Sequence, residues 1–186
     1  MDGSLHSVLM PFAVEMFFNK NADKLVRDVW VDLARAKITS FMIDGGHRPH
    51  VTLGVLEQYS SPTFEHELRV FTTSLKPFSI KLDCLGIFPR PEGVVYFGGV
   101  VTEDLLSIHR EFQTRFAKLM TGVRPYYLSG NWIPHCTLGY GLSLDAIPAA
   151  VKVCLQATLP INAQVTQISL VEIPKHRDVL VNDLSA

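Results

Sequence analysis

The stretch PHVTLG at residues 49–54 returns later in the chain as PHCTLG at residues 134–139. Five of the six positions are identical, and the two histidines lie 135 − 50 = 85 residues apart. In each copy a threonine follows the histidine by two residues, a spacing that puts both side chains on one face of a strand, about 6 to 7 Å apart. The repeat therefore predicts two strands that build one symmetric site, with His50, Thr52, His135 and Thr137 as its candidate catalytic residues.

Strict alternation along these strands would separate a polar face from an apolar face. In the first copy His50, Thr52 and Gly54 then share the polar face, and the second copy repeats this pattern up to Gly139. The alternate residues Val51, Leu53 and Val55 are then expected to face the core. A glycine on the polar face would let a ligand approach the backbone closely.

Composition excludes several classes of protein. The chain has 186 residues, of which 47% are hydrophobic and 19% charged, as in an ordinary globular protein that buries a sizeable core. Its formal net charge of −1 argues against a broad electrostatic footprint on duplex nucleic acid, which requires many phosphates to be neutralised. A small or short anionic ligand remains compatible with this charge.

The cysteines and the N-terminal stretch favour a cytoplasmic protein that does not associate with membranes. Cys84, Cys136 and Cys154 are odd in number and have no CxxC spacing, which favours reduced thiols over disulfides. The apolar stretch 8–18 is interrupted by Glu15 and follows no basic segment, so it is a poor signal peptide and too short to span a bilayer.

Periodicity and turn residues divide the chain into alternating elements. Strands are predicted at 8–18, 40–43, 50–56, 78–88, 94–101, 135–140 and 161–172, helices at 22–36, 63–74, 102–120 and 145–156, and a surface tail after Pro174. In each half a motif strand precedes a helix and then further strands. This order predicts an α+β fold that is bilobal and pseudo-two-fold symmetric, with two mainly antiparallel sheets facing a central cleft, helices outside, and one domain over residues 1–186.

Two histidines across a cleft can perform acid–base chemistry without a metal, because imidazole accepts a proton and imidazolium donates one near neutral pH. The threonines add hydroxyl donors. Displacement at a phosphodiester needs one proton removed, one delivered and negative charge stabilised between them. A metal site built from His47, His50 and His135 is the alternative, but no carboxylate or thiol is expected on the same face, so we predict neither metal nor cofactor.

The sequence resembles the two-histidine (2H) phosphoesterase superfamily, whose members include LigT-like RNA ligases and cyclic phosphodiesterases. The resemblance is carried by the paired His-x-Thr motifs, by WIPHCTL at 132–138, by GIFPR at 86–90 and by ISLV at 168–171. It implies a bilobal α+β fold and metal-independent hydrolysis of 2′,3′-cyclic phosphates or 2′-5′ linked oligonucleotides. The family's catalytic residues map onto His50, Thr52, His135 and Thr137.

Substrate-binding residues are less clearly marked in the sequence. We name Arg90, Tyr96 and Trp132 as candidates, for phosphate in the first case and for base stacking in the others. Arg48 and the cluster 175–177 are further cations that could contact phosphate, although surface charge is the better explanation for them and for Arg90. The expected partner is a nucleotide or short RNA, with no extended duplex and no membrane, and the protein is expected to be a monomer.

Two alternatives remain open at this level. The fold could serve as a non-catalytic module that binds nucleotides or RNA ends. Because the motifs are near copies, they also do not indicate which histidine acts as the acid and which as the base. The remaining histidines, His6, His66, His109 and His176, have no partner pattern and are interpreted as structural.

Overall fold

The computed structural model describes residues 11–89 and 92–185. Its strands are β1 Phe12–Phe18, β2 His50–Leu56, β3 Gln58–Tyr59, β4 Phe78–Phe88, β5 Gly93–Gly99, β6 Met120–Thr121, β7 His135–Leu142, β8 Ile161–Glu172 and β9 Arg177–Asp183. Its helices are α1 Lys20–Arg35, α2 Phe41–Asp44, α3 Thr63–Thr73, α4 Glu103–Phe116 and α5 Ile147–Cys154, with a 3₁₀ turn at Pro125–Tyr127.

One antiparallel sheet of seven strands organises the described residues, in the order β2-β1-β8-β4-β5-β7 with β9 added beside β8. The long strand β8 pairs with β1 and β9 along its C-terminal part and with β4 along its N-terminal part. The α+β class with antiparallel strands is confirmed. The two sheets expected from the repeat are halves of one continuous sheet, because β8 is long enough to belong to both.

The two motif strands occupy opposite ends of this strand order, yet they contact each other. The sheet therefore curls until its two edges meet. This closure is what brings two sequence motifs 85 residues apart, from His50 to His135, into one site.

Helices cover the sheet through apolar faces that the sequence predicted. Helix α1 begins where the Asn19 side chain accepts a hydrogen bond from the Ala22 amide, and it buries Val26, Trp30 and Leu33 among other residues. Helices α3 and α5 also lie within two residues of their predicted bounds, whereas α4 ends at Phe116 instead of residue 120, because Met120 pairs with Tyr59 in β6. The apolar faces of all four join one hydrophobic core cluster with the sheet.

Two segments differ from the sequence prediction. The predicted strand at 40–43 is a helical turn, α2, because the Ser40 carbonyl accepts from the amides of Ile43 and Asp44. Four residues are too few for periodicity to separate a turn from a strand. The tail after Pro174 contains β9, which pairs with β8 and buries Leu180, whereas a surface tail was expected.

Candidate active site

Side chains of both repeats line one cavity of about 350 Å³. Strand β2 supplies His50 and Thr52, and β7 supplies His135 and Thr137. The structure thus brings together all four residues that the repeat singled out. Neighbouring elements contribute further polar and aromatic side chains: Glu15, Phe41, His47, Arg124, Tyr127, Tyr140 and His176.

The two motif histidines are held in the same way. Nδ1 of His50 lies 2.6 Å from the carbonyl oxygen of Arg48, and Nδ1 of His135 lies 2.7 Å from that of Ile133. A carbonyl oxygen only accepts, so Nδ1 must carry the proton that it donates. In the neutral ring Nε2 then has a free lone pair, and each histidine can receive or deliver a proton at that atom.

A β-bulge follows the threonine in each motif strand. In β2 the register passes from Glu15 opposite Thr52 to Val14 opposite Gly54, which leaves Leu53 as the extra residue. In β7 Tyr96 lies opposite Thr137 and the next partner is Gly139, so Leu138 is extra in the same way. Each bulge shifts the alternation of faces by one residue.

This shift overturns the expected role of the two glycines. A Cβ on Gly54 would meet the Phe112 ring at 3.1 Å, and one on Gly139 would meet Leu142 at 3.1 Å, so both glycines pack against protein side chains. Val55 lines the cavity where Gly54 was expected, and Tyr140 occupies the matching place in β7. Strict alternation holds only up to the threonines.

Burial keeps both histidines uncharged at neutral pH. It lowers the pKa of His50 to about 4, against a hydrogen bond to the Arg48 carbonyl that raises the pKa. Burial also lowers the pKa of His135, and the nearby His50 lowers it further. Each ring is therefore ready to accept a proton at Nε2. A ring that is to act as the proton donor needs a neighbouring group that supplies this proton or holds it in place.

Glu15 of β1 is such a neighbour, and in the sequence it is marked only as a break in an apolar stretch. Its side chain lines the cavity, is 3% exposed, and places Oε1 3.5 Å from Nε2 of His50. The expectation that no carboxylate shares the face of the histidines was wrong. The sequence feature that could have indicated this carboxylate is a lone glutamate inside the apolar strand FAVEMFF, because a buried carboxylate is rare without a partner.

Arg124 and Tyr127 complete the polar lining. Among the lining residues that the structure describes, Arg124 is the only lysine or arginine. Burial raises the pKa of Tyr127 to about 12, so its phenol remains a neutral hydroxyl. Nothing in the sequence marked Arg124 apart from other cations, because its approach to the cavity depends on how the 3₁₀ turn folds back on β2.

The predicted substrate-binding residues are placed differently from the motif residues. Arg90 lies outside the described residues. Tyr96 is 9% exposed and packs its ring against Phe88, with its centroid 5.1 Å from that of His135. Trp132 is 9% exposed and stacks on His109, behind the motif strand. Neither aromatic side chain lines the cavity.

Of the other cations proposed for phosphate, the two arginines form ion pairs outside the cavity and His176 lines it. The Arg48 guanidinium pairs with Asp178 at 2.8 Å and covers the Phe17 ring, and Arg177 pairs with Glu172. His176 lines the cavity, although it was expected to be structural. Burial lowers its pKa, so it too is neutral near pH 7.

Two tryptophans brace the motif strands across the cleft. Trp132, which precedes β7, donates its indole N–H to the carbonyl of Thr52 in β2 at 2.9 Å. Trp30 of α1 donates in the opposite direction, to the carbonyl of Thr137 in β7 at 3.1 Å. Both acceptors lie on edge strands, where a carbonyl lacks a further strand as partner. Trp132 thus ties β2 to the start of β7, and Trp30 ties β7 to helix α1.

Neither a metal centre nor a membrane span is found in the described part of the chain. Over residues 11–89 and 92–185, no three histidine, cysteine, aspartate or glutamate side chains are placed to hold a metal ion. Within the same residues, every helix is too short or too polar to traverse a bilayer.

The curled sheet with paired histidines at its joined edges defines a phosphoesterase of the two-histidine type. A family model described as the 2′-5′ RNA ligase superfamily matches residues 26–177. The chain belongs to the 2′-5′ RNA ligase superfamily, as its resemblance to the 2H phosphoesterases predicted. This membership makes it an enzyme of phosphodiesterase type.

Solved structures of known proteins share the fold. Escherichia coli LigT, solved with 3′-AMP, matches with a TM-score of 0.56 and 17% identity over 95% of this chain and 99% of LigT. A structure described as a phosphoesterase matches with a TM-score of 0.57 and 15% identity over 95% and 99%. Kluyveromyces marxianus Usb1 matches with a TM-score of 0.50 and 10% identity over 95% and 98%. A comparison with curated proteins found no match.

Proposed function

We propose that the protein is a metal-independent phosphodiesterase that hydrolyses 2′,3′-cyclic phosphates or 2′-5′ linked oligonucleotides. The observation that carries this proposal is the matched pair of imidazoles, His50 and His135, in one cavity. Each is anchored through Nδ1 and has Nε2 available. One ring accepts the proton of the attacking hydroxyl, and the other protonates the leaving oxygen.

The other polar groups of the cavity suit a phosphate between the two rings. The hydroxyls of Thr52 and Thr137 and the phenol of Tyr127 donate hydrogen bonds to its oxygens, and Arg124 supplies positive charge. The charge that develops in a phosphoryl transition state is stabilised best by such fixed donors. A single phosphate fits this set better than an extended strand, because one lining arginine cannot neutralise several phosphates.

A nucleotide substrate is supported by the aromatic rim of the cavity. Phe41 and Tyr140 line it, are 44% and 39% exposed, and hold their ring centroids 5.1 Å apart at an angle of 33°. Half-exposed rings beside a phosphate site offer a face on which a base can stack. The LigT structures solved with 3′-AMP and with phosphate are consistent with a ligand of this kind.

Hydrolysis by the EDTA-treated protein tests the proposal directly. The substrates are a 2′,3′-cyclic nucleotide and a 2′-5′ linked adenylate dimer, each offered to wild type, His50→Ala and His135→Ala. We expect wild type to cleave at least one substrate and each variant to lose about 10²- to 10⁴-fold in kcat. His66→Ala, on the exposed face of α3, is the matched control and should keep full activity.

The result that would overturn the proposal is a wild-type protein that cleaves neither substrate between about pH 5 and 9, the range over which histidines titrate. Nucleotide binding without turnover would then favour the non-catalytic binding module. Activity that EDTA abolishes would contradict the metal-independent mechanism.

A further inference from the structure

The two halves of the site differ in the residue that lies opposite each motif threonine on the neighbouring strand. Within the strand pairing, Glu15 of β1 lies opposite Thr52, and Tyr96 of β5 lies opposite Thr137. Equivalent places beside the two motif histidines thus hold a carboxylic acid in one half and a phenol in the other. The near-identical motifs conceal this asymmetry.

The carboxylate approaches only one of the histidines. Oε1 of Glu15 lies 3.5 Å from Nε2 of His50, the atom that would exchange a proton with a ligand. His135 is surrounded instead by the rings of Phe88 and Tyr96, with centroids 4.9 Å and 5.1 Å from its own. Among the described residues, no carboxylate oxygen lies within 4.0 Å of a His135 nitrogen.

Burial restricts the charge that the Glu15 and His50 side chains can carry together. Glu15 is 3% exposed, and an isolated carboxylate at such a site is strongly disfavoured. A pair with one proton avoids this cost, either as Glu15–COOH beside neutral His50 or as Glu15–COO⁻ beside protonated His50. Two groups that interact this closely titrate as a unit.

The surrounding charges are consistent with one shared proton. Burial raises the pKa of Glu15 to about 7, while the nearby His176 and Arg48 lower it and Asp178 raises it. Tyr127 and His47 also face this part of the cavity, the first as a neutral phenol. Burial lowers the pKa of His47 to about 3, so it adds no positive charge near neutral pH.

We propose that Glu15 and His50 hold one proton between them and act together as the general acid, which leaves His135 as the general base. Glu15 is then a positioning residue that acts through His50. This assignment rests on the proposed phosphodiesterase function, and it separates the two roles that the repeated motif leaves equivalent.

The resulting step balances in protons and bonds. Nε2 of His135 takes the proton of the attacking water or ribose hydroxyl as its oxygen forms a bond to phosphorus. The bond from phosphorus to the leaving oxygen breaks, and Nε2 of His50 delivers the shared proton to that oxygen. Glu15 is left as a carboxylate beside neutral His50, and His135 is left protonated. Proton transfer from His135 to the pair through solvent restores the starting state.

A leaving group that needs no acid distinguishes the two histidines. The substrates are the 2′-5′ adenylate dimer and adenosine 2′-(p-nitrophenyl phosphate), which share a nucleophile, whereas p-nitrophenolate departs without protonation. On the dimer we expect losses of about 10²- to 10⁴-fold for His50→Ala and His135→Ala and of at least about tenfold for Glu15→Gln. On the p-nitrophenyl ester, the kcat of His50→Ala and of Glu15→Gln should lie within about tenfold of the wild-type kcat. The kcat of His135→Ala should remain as low as on the dimer.

Glu15→Gln should also change the pH–rate profile on the dimer. Without the carboxylate, His50 loses its proton at lower pH, so the basic limb should move down by roughly one to three pH units. Glu172→Gln, a residue that pairs with Arg177 outside the cavity, is the matched control and should leave the profile unchanged.

Three results would overturn the assignment. Rescue of His135→Ala instead of His50→Ala on the aryl ester would reverse the roles. A Glu15→Gln protein that matches wild type on the dimer at every pH would remove Glu15 from the mechanism. An NMR titration of the His50 ring that is identical in wild type and Glu15→Gln would exclude the shared proton.

The NMR titration requires no turnover, so it tests the pair even if the proposed function fails. A wild-type protein that cleaves neither ester would count against the phosphodiesterase proposal alone. The NMR comparison would then decide the shared proton by itself: a His50 titration that changes in Glu15→Gln supports it, and an unchanged titration excludes it.

Discussion

Glu15 has a calculable effect on stability, because it is a carboxyl group buried in a strand. Burial raises its pKa from 4.5 to about 7, so between these values the folded protein holds a proton that the unfolded chain has lost. The free energy of unfolding therefore falls as pH rises through this window and stays reduced above it. The neutral amide of Gln has no such dependence.

Glu15→Gln should accordingly stabilise the protein above pH 7, by on the order of 2 to 4 kcal/mol, and have little effect below about pH 4.5. The lowered pKa of His50 has the opposite effect, because it makes the free energy of unfolding rise with pH. Wild type and Glu15→Gln both contain His50, so the comparison between them reports on Glu15. Urea unfolding at several pH values measures the difference. Equal stability of the two proteins at pH 8 would contradict the raised pKa of Glu15.

At the scale of single residues, the sequence could predict those cavity-lining side chains that are repeated. His50, Thr52, His135 and Thr137 stand out because the second motif repeats the first, and all four line the cavity. Glu15 has no counterpart in the second half, where Tyr96 stands instead, so no repeat could mark it. Arg124 is one of 17 lysines and arginines, and its place in the cavity follows from tertiary structure alone.

Among the structural elements, the paired bulges have the largest effect on the site. Without the extra residues Leu53 and Leu138, the alternation would place Gly54 and Gly139 in the cavity and Val55 and Tyr140 in the core. The sequence could predict the two motif strands to within two residues, but a bulge depends on pairing with the neighbouring strand. That pairing is not encoded in the periodicity of either strand alone.

Helix α2 and the bulged end of β7 together provide the aromatic rim. Replacing Phe41 or Tyr140 by Ala removes one stacking face, and base stacking on an aromatic side chain is worth about 1 to 3 kcal/mol. We expect KM for the 2′-5′ adenylate dimer to rise roughly 5- to 100-fold with kcat little changed. Steady-state kinetics on an abasic 2′-5′ linked ribose dimer, which has no aromatic ring to stack, is the comparison. An equal rise in KM for both esters would place the rings outside base recognition.

The tryptophan braces predict a linked loss of stability and activity. Trp132→Phe keeps an aromatic ring beside His109 but leaves the Thr52 carbonyl without its donor, which should cost about 1 to 3 kcal/mol in the free energy of unfolding. Because the carbonyl belongs to a motif residue, kcat should fall as well. Trp30→Phe should do the same through Thr137.

Urea unfolding followed by circular dichroism measures the stability of both tryptophan variants, and turnover of the preferred ester measures their activity. Phe116→Leu, a buried aromatic change in α4 away from the cavity, serves as the control that loses stability without loss of kcat. Tryptophan variants that unfold like wild type would show that the indole hydrogen bonds do not hold the strands.

For the molecule as a whole, the shared strand β8 determines how the two halves unfold. The first half contributes β1 and the second contributes β4 to the same strand, so neither half has a complete sheet without it. We therefore expect the protein to unfold as one domain in a single cooperative transition. Coincident transitions by circular dichroism and by scanning calorimetry would support this expectation. Two resolved transitions would instead divide the chain into separate domains.

The sequence could anticipate the duplicated order of elements in the whole molecule, but not their union into one sheet. Both halves were visible as a motif strand, a helix and further strands. The sequence predicted β8 at its full length of 12 residues, but that β1 and β4 both pair along it follows from tertiary structure. The strand β9 lies in the tail that was expected at the surface, and its pairing with β8 is a tertiary contact.

The two braces also give the protein a built-in optical reporter. The chain contains two tryptophans, and both indoles donate hydrogen bonds across the cleft to the motif strands. Indole emission responds to hydrogen bonding and local polarity, so a ligand that shifts one strand against the other should change the intrinsic fluorescence. Ligand affinity can then be titrated without a label, even for His50→Ala and His135→Ala proteins that no longer turn substrate over.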